Sequence, residues 1–332
     1  MLAKCKIKKP VIIIGCPRSG TTLLYTILSE SRLLYSLYNE SRFIFKKFYE
    51  KKEKENQIYF DDFLSESDLT NSDKELLITE FEKYTLNNRM LGLLMQKGLR
   101  KSPVFKPLEV GITKINELSK NAFMSEYRMV EKTPRNCLKI PFVNELFPDC
   151  KFIFLKRDGR SNISSLIEGW KHRKGGVGRI PKLNLPLDIK GYDDKLWRFI
   201  LPPGWQEYRN KSLEEVCAFQ WLASNEAVIR DLRDIPEERK YTISYEELIE
   251  NAPKIIRSIC EFIEIPYSKE VKKITEDLPI VNPIGGNPKK DKWKKNEKLI
   301  ERVYPMIEPM MNELGYVVSN TQKVQYQKLP IH

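Results

Sequence analysis

The run Val11-Ile-Ile-Ile14, followed at once by Gly15-Cys-Pro-Arg18-Ser19-Gly20-Thr21-Thr22, constrains this chain more than any other passage. Four consecutive aliphatic residues read as a strand buried on both faces, as in a parallel sheet. Two glycines at G-x-x-x-x-G spacing then make a tight loop, and Thr21 opens a helical pattern. Strand, glycine loop and helix start bring successive backbone N–H groups and a helix N-terminus to one point, an arrangement that cradles phosphate. A nucleotide-triphosphatase loop carries Lys after its second glycine, but here that position is Thr21, which speaks against ordinary ATP or GTP hydrolysis. Arg18 still supplies a fixed positive charge inside the loop. An incidental Pro-Gly turn is the alternative reading.

Four more short apolar runs, at 33–37, 127–130, 152–155 and 241–244, read as strands. Helical patterns follow at 20–29, 138–146, 160–170, 213–232, 245–250 and 296–314, the last with Pro305 and Pro309 expected to kink or interrupt it. Alternation of this kind predicts an α/β fold: a P-loop-type, doubly wound parallel sheet of about five strands with helices on both faces. The charged stretch 46–120 lacks strand signals and reads as a helical insertion within a single 1–332 domain. The Gly-, Pro- and Lys-rich stretch 171–203 reads as loop.

Counts exclude some chemistry. With only His172 and His332 present, a His-rich metal site or a Ser-His-Asp triad would rest on one internal histidine. Six cysteines without a C-x-x-C pair read as reduced thiols of a cytoplasmic protein. The N-terminal MLAKCKIKKP lacks a signal-peptide apolar core, and no apolar run approaches the ~20 residues of a membrane span. The 57 Lys and Arg exceed the 45 Asp and Glu, a net charge of +12 that suits nucleic acid, a membrane surface or a small polyanion.

Position narrows that choice. The 152–155 strand leads into Lys156-Arg157-Asp158-Gly159-Arg160, with Ser161, Ser164 and Ser165 in the following helix. Arginines at a strand end with hydroxyls one or two turns later suit a second anion site. A solvated cluster with Asp158 capping the helix is the alternative.

PRSGTT after a first strand, with RDGR and then Ser165 eight residues beyond Arg157, resembles the sulfotransferases that use 3′-phosphoadenosine-5′-phosphosulfate (PAPS), in the bacterial-type and tyrosylprotein-type branch. Glu40-Ser41-Arg42, Glu131-Lys132-Thr133-Pro134, Tyr245-Glu-Glu-Leu248, Ile284-Gly-Gly-Asn287 with Lys292-Trp293, and Leu314-Gly-Tyr316 extend the resemblance over most of the chain. A donor with a 5′-phosphosulfate and a 3′-phosphate needs two anion sites, and two are predicted here.

The resemblance implies a 5′-phosphosulfate loop at Arg18, Ser19, Gly20, Thr21 and Thr22, and a 3′-phosphate site at Arg157 and Ser165. It implies a glutamate base at Glu40, which follows the second strand, where strand adjacency would bring it across from the Arg18 loop. Lys132 corresponds to the lysine that steadies the transferring group. Tyr245 corresponds to a tyrosine near the nucleotide; a core Tyr at a helix start accounts for it almost as well. Gly285, Gly286, Asn287 and Lys292 correspond to a loop that closes the nucleotide pocket, and a basic linker is the other reading. The tyrosylprotein type carries another basic residue where this chain has Gly169, leaving Lys171 and Arg173 as substitutes.

The expected function is direct in-line sulfuryl transfer from PAPS, leaving the bisphosphate PAP, to a hydroxyl or amine acceptor. No metal is required where protein cations neutralise the donor. The alternatives are a P-loop kinase-like phosphotransferase and a non-catalytic nucleotide- or nucleic-acid-binding protein; no specific nucleic-acid motif is present. The acceptor stays open among glycan, lipid headgroup, peptide tyrosine and metabolite. Aromatics of 46–120 and 171–203 are the expected pocket walls.

Overall fold

β1 (Val11–Ile14) lies inside the sheet because its four apolar side chains serve two cores. Val11 and Ile13 join one buried cluster, Ile12 and Ile14 the other. A strand covered on both faces needs no polar alternation, which is why this run is continuously aliphatic. In the computed structural model, which describes residues 5–37, 40–55, 61–87, 126–172, 179–180, 183, 185–281, 292–318 and 324–326, β1 has parallel neighbours on both sides. β4 (Arg128–Lys132) pairs Val130 with Val11 and Lys132 with Ile13. On the other side β5 (Lys151–Lys156) pairs Lys151 with Val11 and Phe154 with Ile14.

Beyond these lie β2 (Leu34–Leu37) on β4 and β8 (Lys240–Ser244) on β5, giving a parallel order β2-β4-β1-β5-β8. The chain goes from β1 to one side of the sheet and later crosses to the other, so β1 is the switch point, where open α/β sheets bind ligands beyond the strands' C-terminal ends.

Helices cover both faces. One carries α1 (Thr21–Leu28), α7 (Tyr245–Glu250), α8 (Ala252–Phe262) and α9 (Lys269–Glu276), which bury Leu24, Leu248, Ile256 and Val271 with Val11 and Ile13. The other carries α2 (Arg42–Lys54), α3 (Asn71–Tyr84), α4 (Ile140–Leu146), α5 (Gly159–Lys171), α6 (Leu213–Leu232) and α10 (Glu297–Glu313). The predicted doubly wound α/β class is the observed one.

The described part of the 46–120 stretch contains most of α2, all of α3 and a strand that the sequence reading lacked. β3 (Thr85–Asn87) pairs antiparallel with β2 at the sheet edge; residues 88–125 lie outside the described ones. α10 runs uninterrupted across Pro305 and Pro309. Both prolines are on its exposed side, where the carbonyls they leave unpaired meet water, while Ile300, Val303, Ile307, Met310 and Met311 continue the buried stripe.

The 171–203 stretch is only partly loop. β6 (Arg179–Ile180) pairs antiparallel with β7 (Trp197–Arg198), and the Trp170, Trp197 and Trp205 rings meet edge to face at centroid distances of 5.4 and 5.6 Å. Buried Gln220 donates to Arg198 O (2.8 Å) and Ile200 O (2.6 Å), satisfying backbone that the apolar side chains draw inside. No helix among the described residues is long and apolar enough to cross a membrane.

Candidate functional site

The glycine loop is shaped by contacts that leave no room for side chains at its ends. A Cβ on Gly15 would lie 2.6 Å from Leu155 O and 2.8 Å from Ser19 Oγ. Ser19 N donates to Cys16 O (3.0 Å), and Arg18 (φ 73°) and Gly20 (φ 102°) take left-handed conformations that turn the chain into α1. Glycine is needed at position 20 for a second reason: a Cβ there would fall 2.8 Å from Tyr245 Cε2. No side chain caps α1 and its first turn holds no acidic residue, so its N-terminal N–H groups face the loop. Ser19 Oγ, in a residue 1% exposed, is buried without a partner. The buried Asn162 of α5 braces the loop, its amide donating to Pro17 O (3.1 Å) and accepting from Ser19 N (3.3 Å).

Arg157, just past β5, reaches the same loop. Its Nη1 donates to Arg18 O (2.7 Å), its guanidinium stacks 4.4 Å from the Tyr245 ring centre, and its Nε is buried without a partner. Arg18 Nε donates to Ser165 Oγ of α5 (3.2 Å). Arg18, Arg157, Ser165 and Tyr245 are thus one cluster. Among the described residues no carboxylate lies within ion-pair distance of Arg18 or Arg157. Burial, with the Arg157 charge beside it, pushes the Arg18 guanidinium down to about 10. Burial raises the Tyr245 phenol, against the pull of Arg157. Tyr245 packs as a core residue, 8% exposed, and it shapes the cluster from that position.

The RDGR segment divides between two directions. Arg157 faces the loop, whereas Asp158 caps α5 by accepting from Ser161 N (3.1 Å) and pairs with Arg160 Nη2 (2.6 Å). Arg160 also lies 4.9 Å from the Trp293 ring centre. Lys292, half-buried, begins a 3-10 turn at Lys292–Asn296 that docks on α5 through Asn296 Nδ2 to Ser164 Oγ (2.9 Å) and Lys295 to Glu168 (2.9 Å). Gly285, Gly286 and Asn287 lie outside the described residues.

A third group sits on the other side of β1. Glu40 does not follow a strand adjacent to β1, as the sequence reading supposed; β4 lies between. The intervening strand ends in Lys132, whose Nζ pairs with Glu40 Oε1 at 2.7 Å. Arg42 Nε is 3.8 Å from Glu40 Oε2. The ends of the five parallel strands therefore lead to Glu40, Lys132, the Arg18 loop, Arg157 and Tyr245 in spatial order.

Sequence reading gave no role to the buried groups beneath this pair. Glu131 accepts from Asn136 Nδ2 (2.9 Å) and from Thr133 Oγ1, and Thr133 Oγ1 accepts from Ser41 N (2.7 Å) and Ser41 Oγ (3.0 Å). Burial raises the Glu131 carboxyl. The available signal was Glu131 following directly on the apolar pair Met129-Val130, since a carboxylate buried at a strand end requires partners.

Gly169, where a basic residue was expected on the branch pattern, has no space for one: a Cβ would lie 3.1 Å from Phe199 Cε2. Lys171 is exposed, His172 follows α5 as its C-cap, and Arg173 is outside the described residues. Of the described aromatics in the two stretches expected to wall an acceptor pocket, Phe48, Phe81, Trp197 and Phe199 are buried in the core, while Tyr49, Phe63, Tyr84 and Tyr192 are half-buried.

A parallel sheet with a glycine loop at its switch point and two guanidiniums without carboxylate partners beside it defines an α/β protein of the P-loop type. The sequence model of the Sulfotransferase family matches residues 10–184, a span that holds Arg18, Glu40, Lys132, Arg157 and Ser165, and the chain belongs to that family. It is 26% identical over 194 residues to a protein-tyrosine sulfotransferase of Drosophila melanogaster, covering 56% of this chain and 31% of that protein. To protein-tyrosine sulfotransferase A of Caenorhabditis elegans it is 24% identical over 207 residues, covering 56% and 46%. The chain thus spans less than half the length of these curated relatives. Among solved structures, the sulfotransferase domain of the Synechococcus PCC 7002 olefin synthase matches 92% of this chain and 98% of its own, with 16% identity and a TM-score of 0.45.

Proposed function

We propose that this chain transfers the sulfuryl group of PAPS directly, in line, to a hydroxyl or amine acceptor, with Glu40 as the base. The observation that carries the reading is the meeting of two guanidiniums without carboxylate partners, the uncapped N-terminus of α1 and the unpartnered Ser19 Oγ and Arg157 Nε at the sheet's switch point. These donors fit a nucleotide with two anionic ends. Backbone N–H groups of 19–22, Ser19, Thr21 and Thr22 would hold its 5′ end, and Arg157 with Ser165 its 3′-phosphate. Lys292, with Gly285, Gly286 and Asn287, would complete the pocket.

PAPS supplies a sulfuryl group already activated on phosphate. Glu40 takes the proton of the acceptor, while Lys132 and Arg18 offer positive charge to the leaving phosphate. The chain is read as one domain, 1–332, with the 46–120 stretch inserted, and its six free thiols favour a cytoplasmic setting. Placement in the tyrosylprotein-type branch is supported by the two animal relatives, although Gly169 departs from that pattern. Incubation with radiolabelled PAPS and acceptors of the four classes (glycan, lipid headgroup, tyrosine peptide, small metabolite) tests the reading. Label should pass to one class with the native protein and not with Glu40→Gln; label that stays on the donor throughout counts against it.

A further inference from the structure

Thr133 has one proton and two donors directed at it. Its Oγ1 accepts from Ser41 N at 2.7 Å and from Ser41 Oγ at 3.0 Å, so its own proton goes to Glu131 Oε1. The other Glu131 oxygen accepts from Asn136 Nδ2 at 2.9 Å, and that amide also reaches Ser41 Oγ at 3.3 Å. Glu131 and Ser41 are fully buried and Thr133 and Asn136 are each 1% exposed, so water does not substitute for these bonds. The network is directional: Glu131 orients the Thr133 hydroxyl, and the Thr133 lone pairs fix the Ser41 N–H.

That N–H belongs to the peptide unit that joins Glu40 to Ser41. Ser41 O in turn accepts from Ile44 N and Phe45 N at 2.9 Å each, so the same residue fastens the start of α2. On the other side, Lys132 stands between Glu131 and Thr133 in sequence, at the end of β4. One buried network therefore grips the backbone next to both members of the Glu40–Lys132 pair.

We infer that Glu131 and Thr133 are positioning residues, which act through Ser41 to hold the Glu40 carboxylate against Lys132 and in place for proton abstraction. The inference rests on the proposed role of Glu40 as base. Displacement of a base by about 1 Å costs on the order of 100-fold in rate, so the network should show in turnover and hardly at all in nucleotide binding.

The test uses Thr133→Val, which keeps the β-branched shape without the hydroxyl, Thr133→Ser, which restores the hydroxyl, and Glu131→Gln, which has one acceptor oxygen for two donors. Thr133→Val and Glu131→Gln should lower kcat about 10- to 100-fold with the KM for PAPS and the thermal shift by PAP within about twofold of native. Thr133→Ser should recover most of the rate. In crystals of Thr133→Val the Lys132 Nζ to Glu40 Oε1 separation should open beyond the about 4 Å ion-pair limit, and in Thr133→Ser it should stay closed. A closed pair in Thr133→Val, or in Glu131→Gln should the valine variant not fold, overturns the inference, as does equal loss of kcat in Thr133→Ser. An open pair with undiminished kcat leaves the anchoring intact and removes Glu40 as the base, so the two failures are distinct.

Discussion

Lys132 and Glu40, 92 residues apart in sequence, meet at 2.7 Å because β2 and β4 are adjacent parallel strands that end side by side. The Lys132 side chain is 8% exposed and that of Glu40 34%, so the ammonium is held inside while the carboxylate, with Arg42 near its other oxygen, stays partly exposed. In the proposed reaction this carboxylate receives the proton of an incoming hydroxyl, and Lys132 serves the anion that arrives from the Arg18 side. This pair and the arginine cluster are two separable groups at the ends of one sheet.

Glu40→Gln keeps the size of the side chain and removes its basicity. Turnover should fall by about 10²- to 10⁴-fold, the usual worth of a general base, with the PAP-induced thermal shift retained. Transfer at the native rate, measured with radiolabelled PAPS and an established acceptor, would show that Glu40 is not the base.

Arg18 gives the site an alkaline limit. In the free protein its guanidinium is pushed down to about 10 by burial and by Arg157. A bound polyanion favours the charged form, so above pH 10 the complex holds more protons than the free protein. Affinity for PAP should therefore be fully present below pH 10 and decline as pH rises through it. Calorimetric titration from pH 7.5 to about 10.5 checks this; affinity that rises on the alkaline side would contradict it.

Gly20→Ala meets two obstacles: a left-handed backbone at φ 102° and the Tyr245 ring. The backbone conformation alone costs about 1–3 kcal/mol for a residue with a side chain. The urea midpoint should drop with unchanged slope, and PAP affinity should weaken because the loop and Tyr245 move together. Tyr245→Ala in the same chain should restore part of the stability lost to the ring and none of that lost to φ. A Gly20→Ala variant as stable as the native chain would mean that the loop is not built as described.

The sheet was readable where burial on both faces leaves a continuous apolar run, as in β1 and β5, and the glycine loop was readable from spacing. The order of strands was not, because pairing is a contact between residues far apart in sequence; this is why Glu40 was expected beside the Arg18 loop when Lys132 stands between them. Arg157 stood out by its place at a strand end, and Ser165 among the serines of the following helix by the family resemblance. Ser41 and Thr133 stood in recognised motifs without a role, and Asn136 was missed, because an uncharged polar residue gives no signal of what it does until its buried partner is known. The aromatics of 171–203 misled for the opposite reason: Trp197 and Phe199 suit a ligand wall or a core equally by type, and only the position of α5 and α6 decides for the core. Gly169 likewise shows its meaning only with Phe199 against it.

Nucleotide-dependent thermal unfolding tests the central claim, a site built for a nucleotide with anions at both ends, most directly. A ligand at 100 times its Kd adds about 2.7 kcal/mol to the unfolding free energy, enough to move the midpoint by several degrees. PAP should give such a shift to the native chain, AMP and ATP with Mg²⁺ much smaller ones, and Arg157→Ala should reduce the PAP shift to that of AMP. Stabilisation by ATP with Mg²⁺ equal to that by PAP, or a PAP shift untouched by the loss of Arg157, would contradict the account.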